Sequence, residues 1–125
     1  MRDRTATGTG DARSFLPLTP LTFHVLLALA DQERHGYGII RQVEDSTDRL
    51  IQLRTGTLYT LLQRLVDLAL VEESDTRPSK DDDERRRYYR LTPLGRGVAR
   101  AEARRLEMLL KDARRKQLLG RPSKA

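Results

Sequence analysis

Apolar and polar residues alternate with different periods along this chain, and each change of period marks an element. From Thr19 the sequence turns densely apolar, as LTFHVLLALA follows a Thr-Pro pair. Threonine can accept from the free N–H groups of a first turn, and proline fits the first helical position because its missing N–H would be unpaired there. A buried helix is predicted over 20–30, with DQERHG as a polar break after it. In YGIIRQVEDST, Tyr37, Ile40, Val43 and Thr47 recur at helical spacing and predict a second helix over 36–47. DRLIQLR reads as a connector with a short strand at 50–53. In TGTLYTLLQRLVDLALV, Leu58, Leu61, Leu62, Leu65 and Ala69 form one stripe, while Thr57, Thr60, Gln63, Arg64 and Asp67 fall mainly on the other side. This predicts a third, amphipathic helix over 57–68, capped by Thr55.

The period then shortens. LVEES and RRYYRLT read as two strands, and the polar stretch DTRPSKDDDER between them makes a hairpin the simplest connection. In the second strand Tyr89 and Leu91 point to one face, and Arg86, Tyr88 and Arg90 to the other. The tip carries Asp81, Asp82, Asp83 and Glu84, and the returning arm carries Arg85, Arg86 and Arg87. Thr92-Pro93 repeats the cap-plus-proline signal and opens a long helix over 93–119, about 40 Å at 1.5 Å per residue. Gly120 and Pro122 are expected to end it. Along it Ala99, Ala103, Leu106, Leu110 and Ala113 are spaced as a heptad seam, which predicts self-association through this helix.

The predicted fold class is mostly α with a small β-hairpin: a winged helix-turn-helix followed by a long C-terminal dimerisation helix. The expected organisation is a disordered tail over 1–14, a winged-helix domain over 15–92, the dimerisation helix over 93–119 and a short tail over 120–125. The 125 residues fit one domain. No apolar run approaches the roughly 18 residues of a membrane span, and no secretory leader is visible. With no cysteine, disulfides and thiolate metal sites are excluded, which fits a cytoplasmic protein.

Charge adds a partner class. The net charge is +6, yet residues 96–125 hold ten Lys or Arg and three acids, a net of +7, so residues 1–95 carry 6 − 7 = −1. A basic last quarter suits a polyanion, and a solvated basic helix has the same count. No catalytic, cofactor or metal site is expected. The two histidines are eleven apart, no Gly-rich phosphate loop follows a strand, and no serine elbow is present. His24 reads as a partly buried core residue. In His35-Gly36-Tyr37, glycine is expected to supply a tight turn, Tyr37 to pack under the wing, and His35 to face solvent.

Three stretches carry a family resemblance. LLALADQERHGYGIIRQVE, TGTLYTLLQRLVDLALV and RRYYRLTPLGR resemble, in order and spacing, the PadR-type transcriptional regulators. The resemblance covers about residues 19–95, and the last helix more loosely. It implies a winged-helix repressor that dimerises through C-terminal helices and lays its third helix in the major groove. One departure stands out: the family often has glycine between the third helix and the first wing strand, where this chain has Ala69. Alanine fits a tight left-handed cap poorly, which leaves that turn open to a different shape.

In that context double-stranded DNA is the expected partner. Arg54 and Thr55 lie at the start of the third helix, and Thr57, Tyr59, Thr60, Gln63 and Arg64 on its groove side. Gln63 can pair bidentately with adenine and Arg64 with guanine, while hydroxyls suit phosphates. The Tyr59 ring is expected to be half buried with its hydroxyl outward. Arg85, Arg86 and Arg87 can neutralise phosphate, or pair locally with the acids at the tip. The expected assembly is a homodimer on a palindromic operator. A winged helix used for protein interaction without DNA binding is the alternative, and the −1 charge of residues 1–95 leans that way. The sequence leaves a small-molecule effector open and names no cofactor and no membrane partner.

Overall fold

The computed structural model describes residues 12–74 and 87–120. Helix α1 (Pro20–Ala28) starts as its sequence requires: the Thr22 N–H donates to Thr19 Oγ1 at 3.2 Å and Pro20 fills the first position. A two-residue strand, β1 (Arg34–His35), leads directly into α2 (Gly36–Ser46). Helix α3 (Thr55–Asp67) precedes strands β2 (Val71–Ser74) and β3 (Tyr88–Leu91), and α4 (Pro93–Arg115) closes the fold.

The core lies where the apolar faces of the helices meet one face of the sheet. Val25, Leu26, Ala28 and Leu29 from α1 and its end, Ile39 and Val43 from α2, and Leu58, Leu62 and Leu65 from α3 are all buried in it. Val71, Tyr89, Leu91 and Val98 complete it. The chain is already packed at Ala12, and Phe15, Leu16 and Leu18 lean on the same core.

The sheet has three antiparallel strands in the order β1-β3-β2, not the two of a bare hairpin. In its register Glu73 faces Tyr89 and Ser74 faces Tyr88, while Arg34 and His35 pair with Tyr89 and Tyr88 from the other edge. The strand expected at 50–53 does not form, and Leu50 is 86% exposed. The edge of β3 is taken by the segment read as a polar break. That third strand also helps cover Tyr88, which is buried on the face opposite Tyr89: the His35 ring meets it edge-on at 5.2 Å. On α2, Val43 is buried and Ile40 leans on the core as their spacing suggests, but Ile39 is the deeper isoleucine and Tyr37 is 60% exposed. Tyr37 does not pack under the wing.

Three helices end in the same way, each without glycine. After α3, the Leu70 N–H donates to the Leu65 carbonyl at 2.9 Å and that of Ala69 to Val66 at 3.0 Å, the paired bonds of a Schellman turn. Ala69 takes φ 64° to make it, so the tight left-handed cap is kept despite the missing glycine. Asp48 and Gln117 hold the equivalent positions after α2 and α4. The last helix therefore stops at Arg115, a turn before Gly120.

The turn after α3 is clamped to the start of α4. Thr92 Oγ1 donates to the Ala69 carbonyl at 2.6 Å, the Thr92 N–H donates to the Leu70 carbonyl at 3.1 Å, and Oγ1 accepts from the Gly95 N–H at 2.9 Å. A Cβ on Gly95 would run into the Leu70 carbonyl oxygen. Glycine here permits the close approach that fixes wing and last helix to the third helix.

Candidate nucleic-acid interface

Burial of Leu58, Leu62 and Leu65 turns the opposite side of α3 outward, and Thr57, Tyr59, Thr60, Gln63 and Arg64 are all exposed there. The helix begins two residues earlier than its sequence suggested. Arg54 is the cap residue and its side chain makes no capping bond, so Thr55 is the first helical residue and not the cap. Arg54, Thr55 and Gly56 are exposed, and nothing approaches within 4 Å of where a Gly56 side chain would stand. The start of α3 is thus exposed, and the first N–H groups of a helix have no intrahelical partner, the setting in which a helix terminus takes an anion.

Tyr59 is 45% exposed, but its hydroxyl is the tucked end: a Cβ on Gly36 would collide with it. This reverses the expected orientation. Gly36 has no positive φ and supplies no turn; it is small because Tyr59 crosses over it. His35 does not simply face solvent, since its Nδ1 accepts the Gly38 N–H at 3.0 Å and caps α2. Together these contacts seat the start of α2 against α3.

The wing supplies cations that are partly committed. Arg87 is exposed and pairs with Glu73 at 3.2 Å. Arg90 bridges Glu72 at 2.9 Å and Glu33 at 3.6 Å, while Ser74 Oγ donates to Glu33 at 2.6 Å. These bonds tie the α1–β1 connector to the wing. Burial pushes the Tyr89 phenol above its ordinary range, with the Glu73 carboxylate adding to the shift. Arg85 and Arg86, with Asp81 to Glu84, lie outside the described residues.

A helical scaffold with one exposed polar helix and an adjacent small sheet is what the family comparison matches. The model of the PadR-like family of transcriptional regulators covers residues 25–101. The chain belongs to the PadR-like family.

Solved PadR-like structures share the architecture. A PadR family transcription regulator from Clostridium difficile is 25% identical with a TM-score of 0.65, over 82% of this chain and 100% of that one. A PadR-like transcriptional regulator from Bacillus cereus, at 21% identity and TM-score 0.66 over 81% and 93%, shares the fold. A complex structure of RosR, a protein of H. salinarum, is 30% identical with a TM-score of 0.63 over 86% and 90%. An uncharacterised protein of Lysinibacillus sphaericus is 32% identical over 72 residues, 58% of this chain and 64% of that relative's length.

Two features of this PadR-like chain escaped the sequence reading. Arg41 lies 5.7 Å over the ring of Tyr37, both exposed on α2, and an i, i+4 pair of this kind could have been read from spacing alone. Gln63 is already engaged: its Nε2 donates to Asp67 Oδ1 at 3.0 Å. The proposed seam residues divide along α4. Ala99 is buried in the core of its own chain, Ala103 is exposed, Leu106 and Ala113 are half-buried, and Leu110 is 46% exposed. Met108, Leu109, Leu118 and Leu119 are also exposed. Glu102, 2% exposed, accepts from Arg105 Nε and Nη2 at 2.7 and 2.8 Å. Those bonds hold its carboxyl below the usual range against the cost of burial, with the Leu18 N–H assisting.

Among the described residues no group of His, Cys, Asp or Glu could hold a metal ion, and no helix is long and apolar enough to cross a membrane.

Proposed function

We propose that this transcriptional regulator binds double-stranded DNA in a sequence-specific way, laying α3 in the major groove and acting as a homodimeric repressor on a palindromic operator. The observation that carries the reading is the outer face of α3. Gln63 and Arg64 are side chains that distinguish bases, the Thr57 and Thr60 hydroxyls suit the backbone, and the exposed helix start suits phosphate, while Tyr59, its hydroxyl tucked against Gly36, offers only its ring. Arg87 on the wing and Arg41 on α2, both exposed, offer further cations to a polyanion.

Self-association draws support from the apolar surface that α4 leaves uncovered. Its first turns bury Val98, Ala99 and Glu102, and from Ala103 onward Met108, Leu109 and Leu110 are exposed. A second copy packed along Leu106 and Leu110 would cover Leu110 and the neighbouring Leu109, with Met108 on the far side of the helix, and place two α3 helices on successive half-sites. Leu27, exposed on the densely apolar α1, belongs to the same surplus.

The test is selection of duplexes from a random library, followed by binding of an enriched and a scrambled duplex at two salt concentrations. Preference for the enriched duplex, with both affinities falling as salt rises, is expected. Failure to enrich any sequence would leave a winged-helix protein-interaction module instead.

A further inference from the structure

The pair at the end of α3 bears on which base is read. Asp67 is an exposed acid in the last turn of a helix whose C-terminal carbonyls repel negative charge, on the face that meets a polyanion in the reading above. Its charge opposes both the helix dipole and phosphate, and its i, i+4 bond to Gln63 returns only about 0.2–0.5 kcal/mol of helix stability. What it does is hold Gln63: Nε2 donates to Oδ1 at 3.0 Å, four residues along the same face. An ionised carboxylate only accepts, so it fixes which end of the amide faces it. The amide nitrogen keeps a second N–H, and Oε1 lies beside it. That leaves one acceptor and one donor side by side.

We infer that Asp67 is a specificity-positioning residue that locks the Gln63 amide in the orientation that reads adenine. Adenine offers N7 as acceptor and N6–H as donor in the major groove, the complement of a fixed N–H and Oε1. Guanine offers two acceptors, N7 and O6, so a locked Oε1 meets O6 with two lone pairs opposed. An amide released from Asp67 has both N–H groups free and could offer them together to N7 and O6, accepting guanine. Asp67 therefore acts by excluding the wrong base more than by strengthening the right one. This inference rests on the DNA-binding reading of α3.

The test takes the duplex that wild-type protein enriches from a random library and substitutes each base pair in turn. Affinities are measured for wild type, Gln63→Ala, Asp67→Asn and Asp67→Ala, with melting curves confirming that each variant folds. Wild type should show a position where A·T to G·C costs about 5- to 150-fold, and Gln63→Ala should abolish that cost. At this position Asp67→Asn, whose amide can hold Gln63 in either orientation, and Asp67→Ala should lose discrimination while keeping affinity for the adenine duplex. Full discrimination in both Asp67 variants, or no position that depends on Gln63, overturns the inference and leaves DNA binding standing. No enriched duplex for wild type removes the DNA-binding reading and this inference with it.

Discussion

Replacing Ala69 with glycine is expected to stabilise the fold. Ala69 holds φ 64° at the turn that ends α3. A non-glycine residue in that region costs roughly 1–2 kcal/mol. Its methyl is exposed, so removing it forfeits little packing. Glycine gives back about 0.5–1 kcal/mol through its greater freedom in the unfolded chain. The net gain lies between about 0 and 1.5 kcal/mol, centred near 0.75, a rise in Tm of roughly 3 °C for a chain of this size. Ala69→Val should move the other way, because a β-branched side chain is the least tolerated there. Urea and thermal unfolding at one fixed protein concentration would measure both, since association shifts apparent stability. The turn bonds themselves use backbone groups and survive the change. A glycine variant less stable than wild type, or a valine variant as stable as the glycine one, would refute the left-handed turn, and with it the account of how α3, wing and α4 are joined.

Gly95→Ala drives a Cβ into the Leu70 carbonyl, so it should destabilise by at least the roughly 1–3 kcal/mol typical of overpacking, read as a lower urea midpoint. Leu106→Glu with Leu110→Glu should place like charges across the proposed α4 pairing and yield monomers by sedimentation; a wild-type monomer at micromolar concentration, or an intact mutant dimer, would remove the seam. The carboxyl of Glu102 is depressed in the folded state by Arg105, so its contribution is fully present above the ordinary glutamate pKa of about 4.3 and is lost as pH falls through the lower folded value. Glu102→Gln should therefore be less stable than wild type near neutral pH, with the gap closing in acid; a constant gap would contradict the pairing.

Most of the fold was legible because short-range signals agreed with burial. The Thr-Pro pairs at 19–20 and 92–93 both cap helices as read, and the leucine stripe of α3 sits in the core. What failed depended on partners distant in sequence. Strand β1 is two residues long and carries no periodicity; it exists because β3 offers it an edge. Tyr88 is covered in part by that same strand, and Gly36 is small because Tyr59, twenty-three positions later, lies over it. The ends of α2 and α3 fall where they were expected, at the cap residues Thr47 and Leu68, whereas the end of α4 was misjudged because Gln117 holds a position that usually signals itself with glycine. At the candidate site the exposed α3 residues followed from helical period, whereas the Gln63–Asp67 bond and the Arg87–Glu73 pair required side-chain geometry.

The central claim is that the outer face of α3 reads base sequence. Its most direct test is Gln63→Ala titrated against an enriched and a scrambled duplex under identical salt. The account predicts a loss of roughly 1–3 kcal/mol on the enriched duplex and little change on the scrambled one. Equal losses on both would make Gln63 a backbone contact, and unchanged affinity on both would place Gln63 off the interface; either contradicts its reading of base sequence.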